Sequence, residues 1–439
     1  MLALGLPAVA GAASPLLVTV TEVRETTAVL WARATRAGDV VVEVTAPGGS
    51  PRRVTRPTTA AADLLVRLSL EGLTPATRYR YVVSQGTDRV EGEFGTAPPP
   101  AAPTRVSFLW SGDLGGAGLC RLLDGGYRIF TAMSRIPVDF FLFVGDTMYA
   151  DVACRTEGYV PGGSFTARTL AEYRARHRYN REDGPVQEFL RRTPVYATWD
   201  DHEVRNDFAG PTEPLMPVGR QAFLEYWPVA TDSDDPHRIY RSVRWGRLLE
   251  LFILDTRQYR SDNREVDGPG KTMLGAAQRQ WLLDGVIGST ATWKVVVSSV
   301  PLAIPSGRTE RRDSWTDVNV FGLPPDNGTG FVTERDAILR QLRTRGVKNL
   351  VFVAADVHHA ELIRHHPTTD WSFHEFVAGP LSASTGRPRP LDIRLGPRTL
   401  FAQGGVFNFG EVIIEPEHLT VRVRDQEGSV LFSHTIGPE

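Results

Sequence analysis

Four apolar runs in this sequence end in the same way. FLWSGD stops at Asp113, FFLFVGD at Asp146, VYATWDDHE at Asp201, His202 and Glu203, and LVFVAADVHHAE at Asp356 and His358. A run this apolar is suited to a strand buried on both faces, in the interior of a largely parallel sheet. In open α/β sheets the C-terminal edge of the strands is where ligand sites are built. The polar residues that close these runs are therefore expected to converge on one edge. Singly, each signal is weak. Asp after a strand is ordinarily a turn former or a helix N-cap, Tyr149 alone reads as a packing aromatic, and His202 alone as a structural histidine. The ordered set GD, GDxxY, DHE, DxH is not what independent turn formers produce.

The chain divides by pattern. From Leu16 to Thr96 short β-rich runs such as TTAVLWARA and YRYVVSQG are separated by Gly, Pro and polar turns, which predicts an all-β sandwich. Its LTPATRYRYVV segment resembles the corner of fibronectin type III domains. The Pro/Ala-rich APPPAAP (97–103) reads as a stiff linker and a domain boundary. From residue 104 to 439, apolar runs alternate with helical stretches such as LGAAQRQWLLDGVIG, which predicts a layered α/β domain. After Phe373 the pattern turns to antiparallel strands. The stretches Thr156–Asn180, Ser261–Lys271 and Ser306–Gly330 read as loops or insertions.

GDTMYAD, WDDHEVRND and ADVHHAE, following a fibronectin-like segment, resemble the PhoD-type alkaline phosphatases and phosphodiesterases of the calcineurin-like metallophosphoesterase superfamily. The resemblance covers nearly the whole chain. It implies a four-layer α/β/β/α catalytic domain with two metal ions. Asp146 matches the carboxylate that bridges the ions. Tyr149 matches a phenolate ligand of a ferric ion, with Asp113 and His358 completing its shell, and Asp201 and Asp356 join Asp146 on the second ion. His202 matches the proton-donating histidine. Asp151, Asp200, Glu203, Asn206 and His359 stand beside these residues as candidate supports, with loop solvation the alternative reading. The chain departs from the pattern twice: the best-known PhoD-like proteins have a cysteine in the first motif, where this chain has WSGDLGG, so Asp113 as a ligand follows the wider superfamily pattern, and the VVVSSVPL strand offers Ser298 and Ser299 where a histidine is common.

The donor chemistry points the same way. Carboxylate oxygens suit Ca²⁺, Mn²⁺ or Mg²⁺, and a phenolate with imidazole and carboxylates suits Fe³⁺, with a Zn²⁺ pair as the alternative. The expected activity is hydrolysis of phosphate esters by in-line attack of a metal-bound hydroxide. A phospholipase D-like phosphodiesterase is one alternative; a non-catalytic extracellular binding protein on a retired phosphatase fold is the other. Lys and Arg total 49 against 51 Asp and Glu, so no global field favours nucleic acid. Two cysteines, Cys120 and Cys154, exclude a disulfide scaffold and leave one bridge or two thiols open. MLALGLPAVAGAASP reads as a trimmed export signal or a frayed tail, so a secreted or cell-envelope location is expected, with the cytoplasm as the alternative.

Overall fold

The computed structural model describes residues 15–229 and 235–439; the expected export signal falls, but for Pro15, outside them. Seven strands come first: β1 (Leu17–Thr21), β2 (Ala28–Arg33), β3 (Gly38–Thr45), β4 (Arg52–Thr58), β5 (Leu65–Leu70), β6 (Arg78–Gln85) and β7 (Asp88–Gly95). There follow β8 (Val106–Ser111), α1 (Arg128–Met133), β9 (Phe140–Val144), α2 (Leu170–Arg181), α3 (Gly184–Leu190), β10 (Val195–Thr198) and α4 (Met216–Tyr226). Next are β11 (Arg241–Trp245), β12 (Leu249–Ile253), α5 (Gly275–Gly288), β13 (Trp293–Val297), the short β14 (Gly307–Arg308) and β15 (Arg311–Arg312), α6 (Val332–Thr344) and β16 (Leu350–Ala354). The chain ends in β17 (Ala360–Thr368), β18 (Trp371–Val377), β19 (Pro397–Gln403), β20 (Asn408–Glu415), β21 (His418–Asp425) and β22 (Val430–Ile436).

These strands make a mixed α/β fold with two large sheets, ordered β22-β21-β20-β8-β9-β10-β1-β2-β5 and β11-β12-β13-β16-β18-β17-β19, and a four-stranded sheet, β4-β3-β6-β7. Within the first, β8, β9 and β10 run parallel; within the second, β12, β13, β16 and β18 do. Their C-terminal ends therefore open on common edges. One core joins residues of all three sheets, including Trp110, Phe140, Val295, Val353, Val42 and Tyr81. A second packs α5 and α6 residues against β12, β13 and β16, and a third packs α1, α3 and α4 against β8 to β10.

Three of the N-terminal strands, β1, β2 and β5, are built into the large sheet. β1 pairs parallel to β10 at Thr21 and Val195. All six residues of β2 are buried, because its second face is covered as well: Trp31 Nε1 donates to the Glu225 carbonyl at 2.8 Å, and the Arg181 guanidinium lies between the Trp31 and Trp227 rings, 4.1 and 4.3 Å from their centroids. Tyr196 donates to the Val23 carbonyl, and Arg241 pairs with Glu22 in the interior.

The stretch expected to be a loop up to Asn180 contains α2. Its N-terminus is closed by a capping box between Thr169 and Glu172. No apolar stripe reveals this helix, since its buried face is Tyr173, Arg176, His177, Tyr179, Asn180 and Arg181. The two cysteines are joined, Cys120 to Cys154, with 5.7 Å between their Cα atoms. Among the described residues no helix is long and apolar enough to cross a membrane.

Candidate metal centre

The strand ends converge. β8 delivers Asp113, β9 Asp146 and Tyr149, β10 Asp200, Asp201 and His202, and β16 Asp356 and His358. Asp113, Asp146, Asp356 and His358 all have left-handed backbones, with φ of 63°, 50°, 70° and 59°. A non-glycine residue pays for this conformation, of order 1 kcal/mol or more, and such residues cluster at functional sites. The turn that carries Asp146 is possible because Gly145 precedes it: at φ 82°, a Cβ there would lie 2.6 Å from that of Asp200.

Two groups of donors result. In the first, the Tyr149 hydroxyl lies 3.1 Å from His358 Nε2, which is 3.7 Å from Asp113 Oδ1. In the second, donor atoms of Asp146, Asp201 and His202 lie within 4.8 Å of one another. Asp146 Oδ1 accepts from the His202 backbone N–H at 3.2 Å, which ties one strand end to the next. The His202 ring stacks on that of Tyr149 at 3.9 Å, and its Nδ1 lies 2.6 Å from Asp151 Oδ1. The other Asp151 oxygen accepts from the Asn206 N–H at 2.8 Å.

The remaining candidates divide. Glu203 accepts from the Thr147 hydroxyl at 2.7 Å and from the Asp200 N–H at 2.9 Å, and so braces two strand ends from behind. Asp200 Oδ1 accepts from Ser299 Oγ at 2.5 Å and Arg257 Nε at 2.6 Å. His359 is turned away: its ring nitrogens meet the Val357 carbonyl and Glu361, each at 3.1 Å. Two arginines beside these motifs are engaged elsewhere: Arg205 is mostly exposed and paired with Glu213, and Arg364 reaches Ser372.

Sequence reasoning missed Asp207, Asp313 and Arg257. Oxygens of Asp201, Asp207 and Asp313 form another close group. Arg257 is fully buried and grips Asp313 with two contacts of 2.7 Å, 2.6 Å from Asp200 and 3.8 Å from Asp201. Asp207 sits inside the WDDHEVRND motif already singled out, whereas Asp313 lies in the 306–330 stretch and follows no apolar run. Arg257 does follow one, ending in Asp255, but that carboxylate turns inward to Trp199 Nε1 at 2.8 Å. Asp146, Asp201, His202, Asp207, Asp313, Asp356 and His358 line a cleft of ≈ 420 Å³, whose rim carries Arg308, Arg311 and Arg389.

The electrostatics asks for cations. Burial, with the charge of Asp200, holds the Asp113 carboxyl well above the usual range; burial, with Asp201 and Asp200, does the same to Asp146, and burial, with Asp200 and Asp313, to Asp356. Burial and neighbouring carboxylates push Asp207 up to about 6. Burial lowers His358 to about 4, which leaves its imidazole neutral and free to coordinate. Asp113 Oδ2, Asp200 Oδ2 and Asp356 Oδ2 are sealed from solvent with no hydrogen-bond partner. Buried oxygens are almost always satisfied, and hard cations suit this donor set, so the residues fit metal ions.

Carboxylates, two imidazoles and a phenol at the shared edge of two sheets define a candidate metal centre on a mixed α/β scaffold. The chain belongs to the PhoD-like phosphatases, whose family profile matches residues 115–421. It is similar to alkaline phosphatase D of Bacillus subtilis (strain 168), with 27% identity over 323 residues, 67% of this chain and 53% of that protein. The chain thus spans about half the length of the curated relative it matches. A solved structure of PhoD aligns with a TM-score of 0.79 over 98% of this chain and 91% of that one at 21% identity, a likeness of fold.

Proposed function

We propose that the cleft hydrolyses phosphate esters with two metal ions bound. The observation that carries this reading is the set of buried, unpartnered oxygens on Asp113, Asp200 and Asp356 beside the donors of Asp146, Tyr149, Asp201 and His358. Asp113, Tyr149 and His358 would hold one ion, Asp201 and Asp356 the other, and Asp146 would bridge them. Tyr149 with His358 suits Fe³⁺ and the all-oxygen group suits Ca²⁺, Mn²⁺ or Mg²⁺, with a Zn²⁺ pair as the alternative. Bound there, such ions neutralise phosphoryl charge and lower the pKa of water.

The chain's own residues do the rest. Asp151 holds His202 through Nδ1, which leaves Nε2 to protonate the departing oxygen. Burial acts to lower the proton affinity of His202, but the carboxylates of Asp201 and Asp151 outweigh it and raise its pKa. Arg308, Arg311 and Arg389 at the rim attract the anionic ester. Monoesters and diesters, including phospholipase D-like head-group release, are both within this chemistry.

The architecture is read as an α/β/β/α catalytic domain from residue 104 onward, preceded by a fibronectin-like unit over 16–96, of which β1, β2 and β5 extend the large sheet and β3, β4, β6 and β7 form the four-stranded one. A secreted or envelope location goes with the Cys120–Cys154 bond.

The test is metal content and turnover on an aryl monoester and its diester. Asp146→Ala should lose more bound metal than Asp113→Ala or Asp201→Ala and should be inactive. A fully active Asp146→Ala protein would end the two-metal reading.

A further inference from the structure

Four of the large apolar side chains exposed on this protein gather on two interlocked loops: Val320, Phe321 and Leu323 on one, Ile393 on the other. Phe321 is 77% exposed and Val320 76%, more than any other large hydrophobic among the described residues. The turn that presents them is ordered. Asn319 Oδ1 accepts from the N–H groups of Phe321 (2.9 Å) and Leu323 (3.2 Å), and the Asn319 N–H donates to the Leu323 carbonyl at 2.9 Å. The turn rests on the second loop, where the Ile393 N–H donates to the Gly322 carbonyl at 3.4 Å. Thr316 Oγ1 donates to Asp392 at 2.8 Å, and Arg389 Nη1 to the Pro305 carbonyl at 2.7 Å, so the two loops are tied together.

These are the loops that bring Arg308, Arg311 and Arg389 to the cleft. Arg308, Arg387 and Arg389 are exposed and Arg311 is half-buried, against two exposed acids, Glu310 and Asp326, on the same segments; Asp313, Asp317 and Asp392 are buried and paired with arginines, which leaves the exposed charge of these loops net positive. Solvent therefore meets an apolar tip beside a basic flank. A tip that inserts shallowly between head groups, with cations against anionic phosphates, is the signature of peripheral attachment to lipid. A hydrogen-bonded turn that holds Phe321 in water has no packing reason among the described residues.

We propose that the Asn319–Leu323 turn docks this protein on an anionic phospholipid surface and so brings the cleft to lipid phosphodiesters. The choice of lipid over soluble esters as substrate rests on the hydrolase reading above; the docking itself does not.

The experiment is co-sedimentation of the full chain with phosphatidylcholine vesicles, with and without phosphatidylglycerol. The parent should bind only the anionic vesicles, and less at high salt. Val320→Ser/Phe321→Ser should weaken that binding by at least ~10-fold, while Leu123→Ser, exposed elsewhere, should leave it unchanged. Melting curves confirm that each variant is folded, and turnover of a soluble aryl ester should be unaltered by either. No binding to anionic vesicles, or equal binding by the double variant, overturns the proposal. So does a parent dimer in sedimentation velocity that the double variant abolishes, since a second copy would then be what covers the tip. Vesicle binding without turnover of any ester leaves the docking standing and sinks the hydrolase reading instead.

Discussion

Opening the Cys120–Cys154 bond should loosen the metal centre and lower the stability of the whole chain by a calculable amount. The bond links the loop that follows Asp113 to the loop that follows Tyr149 and Asp151. Between those loops run few other ties: Arg155 N–H to the Gly118 carbonyl at 3.1 Å, Val160 N–H to Arg121 at 2.8 Å and Leu123 N–H to Gly158 at 3.0 Å. Buried Arg176 carries the constraint onward, donating to Cys154 Sγ at 3.0 Å and to the Tyr149 carbonyl at 2.8 Å. With cysteines 34 residues apart, loop-closure entropy puts the stabilisation at ~4 kcal/mol at 25 °C. Unfolding entropy of ~2.1 cal/mol/K per residue, over 439 residues, converts this into a melting temperature lower by ~4 °C. The assay is thermal unfolding of the parent, the parent reduced, and Cys120→Ser/Cys154→Ser, with metal content measured on each. Reduced parent and double variant should agree with each other and hold less metal. A double variant melting within ~1 °C of the parent with full metal content would refute the reasoning, because the hydrogen bonds alone would then be fixing the loops.

Two further outcomes are expected. His202→Ala should cost ~10²–10⁴-fold with alkyl phosphates and much less with nitrophenyl esters, whose departing oxygen hardly needs a proton; Asp151→Asn, which keeps the tether but not its charge, should show the same leaving-group bias in weaker form, and equal losses on both ester types would assign the pair to binding. Trp31→Ala should destabilise the chain by ~3–5 kcal/mol and should lower its single melting transition as a whole, because Trp31 packs on Arg181 and bonds Glu225 far along the chain; an N-terminal transition that melts separately would contradict this.

The strands and the acids that end them were legible in the sequence because both signals are local. An apolar run such as FFLFV needs burial on two faces, and the residue at its end is carried to the sheet edge wherever the strand lies. Asp113, Asp146, Tyr149, Asp201, Asp356 and His358 could thus be named before any coordinates. What lies between strands is decided by contacts across the chain. Asp313 enters the cleft from a stretch with no periodic pattern, and contacts made across the chain fix it there: Arg257 at 2.7 Å, Arg260 at 2.8 Å and Asn263 at 2.9 Å. Asp151 and Glu203 are equally plausible partners for His202 in the sequence; the fold turns one to the ring and the other to Thr147. The helix α2 buries arginines and histidine, which no hydrophobic pattern reveals. TTAVLWARA, finally, reads as a sandwich strand with one buried face, and only the tertiary structure decides that both its faces are buried, because the pairing of β1 with β10 gives the outer face of β2 a second core to fill.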